Sequence, residues 1–175
     1  GLEQAYFTFC YSPIRDPLGK VVGMLDTVTE TTASVFLNRR LAVLDAVGSA
    51  VANATDAESI MSTTTRLLAG HLQVSNCAYA DMDADEDGFT IRGNWAAPGS
   101  PSIVGRYSLA SFGARAVQQL RAGEPLVVQD NRAEFAPEDA ASYQALGALA
   151  TVCFPLIKDG RLTALMAVHH KTARV

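Results

Sequence analysis

The sequence predicts an α+β fold built on a mostly antiparallel sheet, and three features carry that reading. Two apolar runs, residues 151–157 and 162–169, flank Lys158-Asp159-Gly160-Arg161, and an Asp-Gly pair between strand-like runs is a strong short-range hairpin signal. A weaker hairpin pattern lies near the other end, with residues 6–14 and 20–28 around a turn at Asp16-Pro17-Leu18-Gly19. Between the two, helical and strand-like periods alternate. From residue 33 the order is helix, helix, strand, strand, helix, strand, helix, strand, strand. Strands adjacent in sequence pair as antiparallel hairpins, and the helices must cover the sheet.

Each element has its own warrant. From Thr31 to Asn53, the residues Leu37, Leu41, Leu44, Gly48 and Val51 recur at alternating spacings of four and three, the seam of a coiled coil or a packed helix pair. Gly48 lets two helices approach closely, although it weakens the helix by about 1 kcal/mol relative to Ala. This long linker helix has no other obvious partner, so the seam is assigned to self-association. Thr55-Asp56-Ala57-Glu58 reads as a capping box opening a second helix that carries Ile60, Met61, Thr64, Leu67, Leu68 and Leu72. Strands follow at 76–82 and 89–95, then a loop marked by Pro98-Gly99-Ser100-Pro101. Ser108 can cap a helix running to Ala122, with Gly123 as its stop. Residues 125–129 form a short strand. Pro137, followed by Glu138 and Asp139, has the first-turn chemistry of a helix that ends at Gly147.

Composition narrows the function. At 175 residues the chain holds one domain, or one domain and a fragment of another. A net charge of -4 with scattered Lys and Arg argues against nucleic acid as a partner. The one adjacent basic pair, Arg39-Arg40, reads as the solvated side of a helix. No run is long enough to span a membrane, and no signal peptide is visible, so the protein is expected in the cytoplasm without membrane contact. The cysteines Cys10, Cys77 and Cys153 are far apart, each within an apolar strand-like run. They read as reduced, buried thiols and not as a metal site.

Three stretches carry a family resemblance: Val74-Ser-Asn-Cys-Ala-Tyr-Ala-Asp81, Leu120-Arg-Ala-Gly-Glu-Pro-Leu-Val-Val128, and residues 149–169. From about Leu41 to Lys171 the chain resembles a GAF domain, a small-ligand-binding and regulatory module of signalling proteins, placed at 41–175. The resemblance implies a profilin-like sheet flanked by helices. Residues 6–32 resemble the last two strands of a PAS domain, and Thr27-Val28-Thr29-Glu30 is similar to the Asp-Ile-Thr-Glu ending common there, with Thr27 where an acid is usual. Residues 1–30 are therefore assigned to a PAS hairpin and 31–53 to the linker and dimerisation helix. PAS followed by GAF is similar to the input half of bacterial sensor histidine kinases in two-component systems. The implied role is a non-enzymatic, homodimeric sensory module that binds a small ligand or relays a PAS signal to a downstream kinase or other output domain. Kinase phosphoacceptor and ATP-binding regions are not found in the sequence.

Candidate sites follow from residue chemistry. Tyr79, Trp95, Tyr107, Phe112 and Phe154 are aromatics able to line a pocket, with Asp130, Asn131 and His169 as its polar groups. Each aromatic also suits an ordinary core. The stretch from Asp83 to Gly88 starts like an EF-hand loop, but the twelfth position falls on Asn94 where a bidentate Glu is needed, so it reads as a hairpin turn. His169 and His170 end the last strand on opposite faces, so one alone can face the interior. A metal or haem site would require His71 as well, and a structural or solvated histidine is preferred. No metal or catalytic residue is assigned, and the cofactor is left unknown. The Asn-Lys-Phe-Asp-Glu set of cyclic-nucleotide-binding relatives is absent, and neither Cys77 nor Cys153 is followed by the histidine common at bilin attachment sites. Two rival readings are a cysteine-based methionine sulfoxide reductase and a ligand-free structural or dimerisation module. The apolar hairpin face of Phe7, Phe9 and Tyr11 is expected to be covered by another chain.

Overall fold

The computed structural model describes residues 4–174, and the chain divides into two compact units, 1–45 and 46–175. In the first, β1 (Phe7–Arg15) and β2 (Val21–Glu30) form a two-stranded antiparallel sheet. Asp16 builds the turn: its Oδ1 accepts from the amides of Leu18 and Lys20, and Gly19 takes a φ of 81°. Helix α1 (Thr32–Ala52) begins in this unit and runs through the division. Tyr6 fastens the hairpin to its first turn. The Tyr6 amide donates to Thr32 Oγ1 at 2.9 Å, the Thr31 amide donates to the Tyr6 carbonyl, and the ring meets Phe36 edge-on with the Arg39 guanidinium 5.1 Å from its centroid. Thr32 thus joins the hairpin to the helix that follows it.

Register places Phe7, Phe9, Tyr11 and Pro13 on one face with Met24 and Val28, while Thr8, Cys10 and Ser12 share the other. Phe7, Phe9 and Tyr11 are 51–59% exposed, so no other described residue of the hairpin unit supplies the expected cover. A two-stranded sheet has no second layer to provide it. Cys10 is exposed as well, which corrects the expectation that all three thiols are buried. The α1 residues Leu37, Leu41, Leu44, Gly48 and Val51 are likewise exposed, an apolar stripe along the helix.

The second unit is a six-stranded antiparallel sheet in the order β5-β4-β3-β8-β7-β6. Its strands are β3 (Asn76–Met82), β4 (Gly88–Ala96), β5 (Gly105–Ser108), β6 (Leu126–Val128), β7 (Ala150–Lys158) and β8 (Arg161–His170). Its helices are α2 (Ala57–Leu72), α3 (Ala114–Arg121), α4 (Asn131–Glu134) and α5 (Pro137–Ala145). Helix α2 packs on β3 and β4, on the sheet face bearing Tyr79. The other face, bearing Ala78 and Ala80, packs against α3, α5 and a 3-10 turn at Leu109–Phe112.

Four details differ from the sequence reading. The N-cap of α2 is Asp56 and not Thr55: Asp56 Oδ1 accepts from the Ser59 amide at 2.8 Å, and Ser59 Oγ donates back to Oδ2. Asp and Thr both cap, and the carboxylate takes the amide three residues on, which puts the helix start one residue later. The expected helix from Ser108 to Ala122 is broken by Gly113, whose φ of 95° no continuing helix adopts. A Cβ there would also sit 2.5 Å from the Asp139 carboxylate. Strand β5 was not expected; it pairs with β4 through residues 105–108. The short helix α4, opened by Asp130, was also unforeseen.

The β3–β4 turn is held from three sides. The Glu86 carboxylate accepts from the Leu162 amide at 3.0 Å and pairs with Arg161, while Arg121 of α3 donates to the Glu86 carbonyl. The Leu162 amide first, and Arg161 after it, hold this carboxyl below its ordinary range. The acidic stretch is therefore a latch onto β8. On the far side, Asn76 Nδ2 donates to the Pro101 carbonyl, and Asn94 bridges Asn76 to the Ile103 amide. That network seats Ile103, 1% exposed, in the core.

Asp159 and Gly160, with φ of 52° and 73°, form the two-residue turn between β7 and β8. Positive φ at both positions is the type I′ signature, which matches strand twist. Gly160→Ala should lower unfolding stability by about 1–2 kcal/mol, the cost of a Cβ in the left-handed region. Gly70→Ala, in α2 with open space around it, should raise stability by up to about 1 kcal/mol. Urea titration with an unchanged m-value would show both effects.

Candidate functional site

A cavity of about 50 Å³ lies between the sheet and its helical cover. The sheet side is Ala78 and Ala80 of β3, Phe89 and Ile91 of β4, Thr151 and Cys153 of β7, and Leu165, Ala167 and His169 of β8. The cover is Leu109, Phe112, Ala116, Leu120, Tyr143 and Leu146. Small side chains make the space: Ala78 stands opposite Ala167, at the centre of the sheet.

The polar content of the wall is narrow. Thr151 and His169 are cross-strand partners, and His169 Nδ1 lies 2.9 Å from Thr151 Oγ1. His169 Nε2 has no hydrogen-bond partner among the described residues. Burial lowers the His169 pKa to about 4, so the ring is neutral at neutral pH. Burial likewise raises the Cys153 thiol to about 12. It also raises the Tyr143 phenol, with the charge of Cys153 adding to the effect, and the Tyr143 hydroxyl donates to the Phe112 carbonyl at 3.2 Å. The cavity therefore presents uncharged groups alone at neutral pH.

Of the eight residues the sequence nominated for a ligand, the structure brings two into this cavity, Phe112 and His169. Tyr107 stands behind it, stacked on Phe89, with its hydroxyl on the Ile103 carbonyl. Tyr79 and Trp95 face the opposite side of the sheet, beneath α2. Phe154 is 53% exposed there, one strand beyond β8. Asp130 and Asn131 are structural: Asp130 caps α4 and pairs with Arg132, and Asn131 donates to the Ala148 carbonyl. Asn131 is fully buried and its Oδ1 has no partner. Thr151, Cys153 and Tyr143 were missed; the alternation of β7 was the available signal for the two on that strand, Thr151 and Cys153. His170 is partly exposed and His71 is exposed. Among the described residues no group of three His, Cys, Asp or Glu side chains could hold a metal ion, and no helix is long and apolar enough to cross a membrane.

The GAF domain family profile matches residues 56–175, and the chain belongs to that family. Solved structures share the fold. A far-red absorbing protein in its dark state with bound biliverdin IXα is 14% identical, with a TM-score of 0.66 over 76% of this chain and 85% of that one. The chromophore-binding domain of a Stigmatella aurantiaca phytochrome is 15% identical, with a TM-score of 0.65 over 95% of this chain and 62% of that one. Free methionine-R-sulfoxide reductase from Neisseria meningitidis, in complex with its substrate, is 19% identical, with a TM-score of 0.57 over 75% and 72%. No curated protein matches the sequence.

His169 gives the site a pH signature. Its folded pKa lies below its ordinary value of 6.5, so the unfolded state binds the extra proton first as pH falls. The stabilisation is complete above pH 6.5 and is lost as pH falls toward 4, about 3 kcal/mol in all. Urea titrations at pH 7 and pH 4.5 should show a larger loss for the natural chain than for His169→Gln.

Proposed function

We propose that this chain is a sensory input module of a bacterial signalling protein of the sensor histidine kinase type, without enzymatic activity of its own. Its GAF domain binds a small ligand, and α1 carries the resulting change, or that of a preceding PAS unit, through a homodimeric helix pair. The observation that carries the ligand half is the cavity between sheet and helices, with a neutral His169–Thr151 pair on an otherwise apolar wall. Its size selects the ligand. An apolar cavity of about 150 Å³ admits benzene, whereas about 50 Å³ gives room for roughly four waters. As folded here, the cavity suits a neutral molecule smaller than benzene, and a bilin like that of the neighbouring structures would require the helical cover to open.

The dimer half rests on the apolar stripe of α1, where Leu37, Leu41 and Leu44 are 52–58% exposed in the single chain. A ligand shifts such a pair only through differential affinity for two helix arrangements. Thiol chemistry is disfavoured at Cys77 and Cys153, which are buried with pKa values raised to about 12, far from the thiolate a reductase needs. The hairpin resemblance to PAS strands supports an upstream unit, with Phe7, Phe9 and Tyr11 as the face it would cover.

Sedimentation equilibrium tests the seam. The natural chain should self-associate, and Leu41→Asp and Leu44→Asp should shift it toward monomer by tenfold or more in dissociation constant. Association equal to that of the natural chain would refute the α1 dimer. A native mass spectrum of purified protein should show a bound mass smaller than benzene, or its uptake on addition.

A further inference from the structure

A second concavity lies on the opposite sheet face, where α2 crosses β3 and β4 and leaves a cleft of about 1070 Å³. Small-molecule pockets run to roughly 300–1,000 Å³, so this one accepts a full-sized ligand. Its floor is Tyr79 of β3 with Gly93 and Trp95 of β4. Register sets Gly93 directly across from Tyr79 and Trp95 across from Cys77, so the two rings are diagonal neighbours with a glycine beside them. A Cβ on Gly93 would meet no atom within 4 Å, which leaves a slot open above the strand. Tyr79 and Trp95 are each partly buried and line this cleft.

Three guanidinium groups line the cleft, from Arg66 of α2, Arg92 of β4 and Arg106 of β5. Asp81 holds Arg92 at 3.0 Å and Asp83 holds Arg106 at 2.6 Å. Glu58 also faces the cleft, and Arg66 is the one guanidinium lining it that no carboxylate holds among the described residues. A flat aromatic floor beneath an unpaired guanidinium selects a ring that stacks and an acid group that takes a forked pair of hydrogen bonds. We propose that this cleft binds a planar aromatic anion, with Tyr79 and Trp95 taking the ring and Arg66 the acid group. The site shares no residue with the interior cavity except Ile91, and its occupancy is independent of the ligand there.

Trp95 is the chain's single tryptophan, so the site carries its own reporter. Calorimetry and Trp95 emission should detect saturable binding of 2-naphthoate, with the neutral 2-naphthylmethanol binding at least tenfold more weakly. Arg66→Gln, which keeps one N–H donor of the forked pair, should weaken naphthoate about tenfold and leave the alcohol unchanged. Gly93→Val should fill the slot and abolish both, whereas His169→Gln should alter neither. Equal affinity for the two compounds, or naphthoate binding unaffected by Arg66→Gln, would overturn the proposal. Trp95 emission that follows protein concentration, with no response to naphthoate, would also overturn it and assign the cleft to a second copy of the chain.

Discussion

The pairing of β3 with β8 is the constraint on which the second unit depends. These strands are some ninety residues apart in sequence, yet they lie side by side at the centre of the sheet. Closing so long a loop costs entropy before any contact rewards it. What offsets that cost converges on the same pair. The Ser75 amide donates to the His169 carbonyl, the Lys171 amide to Ser75 Oγ, and the Glu86 latch receives Leu162 at the other end. Both concavities inherit their shape from it. One face of β3 and β8 offers Ala78, Ala167 and Leu165 to the interior cavity, while β3 turns Tyr79 to the cleft under α2.

The two concavities differ in what they can recognise. The interior one is small, largely apolar and uncharged, because burial suppresses ionisation of His169, Cys153 and Tyr143 alike. The outer one is wide, aromatic and bordered by arginines. A fold with helices on both faces of one sheet can present a different chemistry on each side of a strand, since alternate residues point to opposite faces.

Much of this was legible in the sequence where a local signal and the tertiary structure agree. The Asp159-Gly160 turn, the strand at residues 76–82 and the Pro137 helix start stand where their residue chemistry puts them. The outcome departed wherever a contact distant in sequence decided. Gly113 takes a φ of 95° with Asp139 packed where a side chain would stand, and β5 forms because β4 is there to pair with. The site illustrates the same limit. Counting outward from the Asp159-Gly160 turn pairs Thr151 with Val168, but a bulge at Leu156 and Ile157 shifts the register and pairs it with His169. No periodicity announces a bulge, so the polar pair at the cavity wall was hidden even though both residues were in view. The nominated aromatics lay on two faces for a related reason: composition identifies rings, and only register assigns their side.

The edges of the two sheets are opposite in character. The large sheet ends in strands of four and three residues, β5 and β6, too short to template another chain. The hairpin has two long edges, nine and ten residues, with Arg15, Asp26 and Glu30 as their only charged side chains and an apolar face of Phe7, Phe9 and Tyr11. Unpaired backbone of that length, beside an uncovered apolar surface, is the template for strand addition. Strand addition to this polypeptide is therefore directed to the hairpin, whose edges are long and sparsely charged, and not to the large sheet.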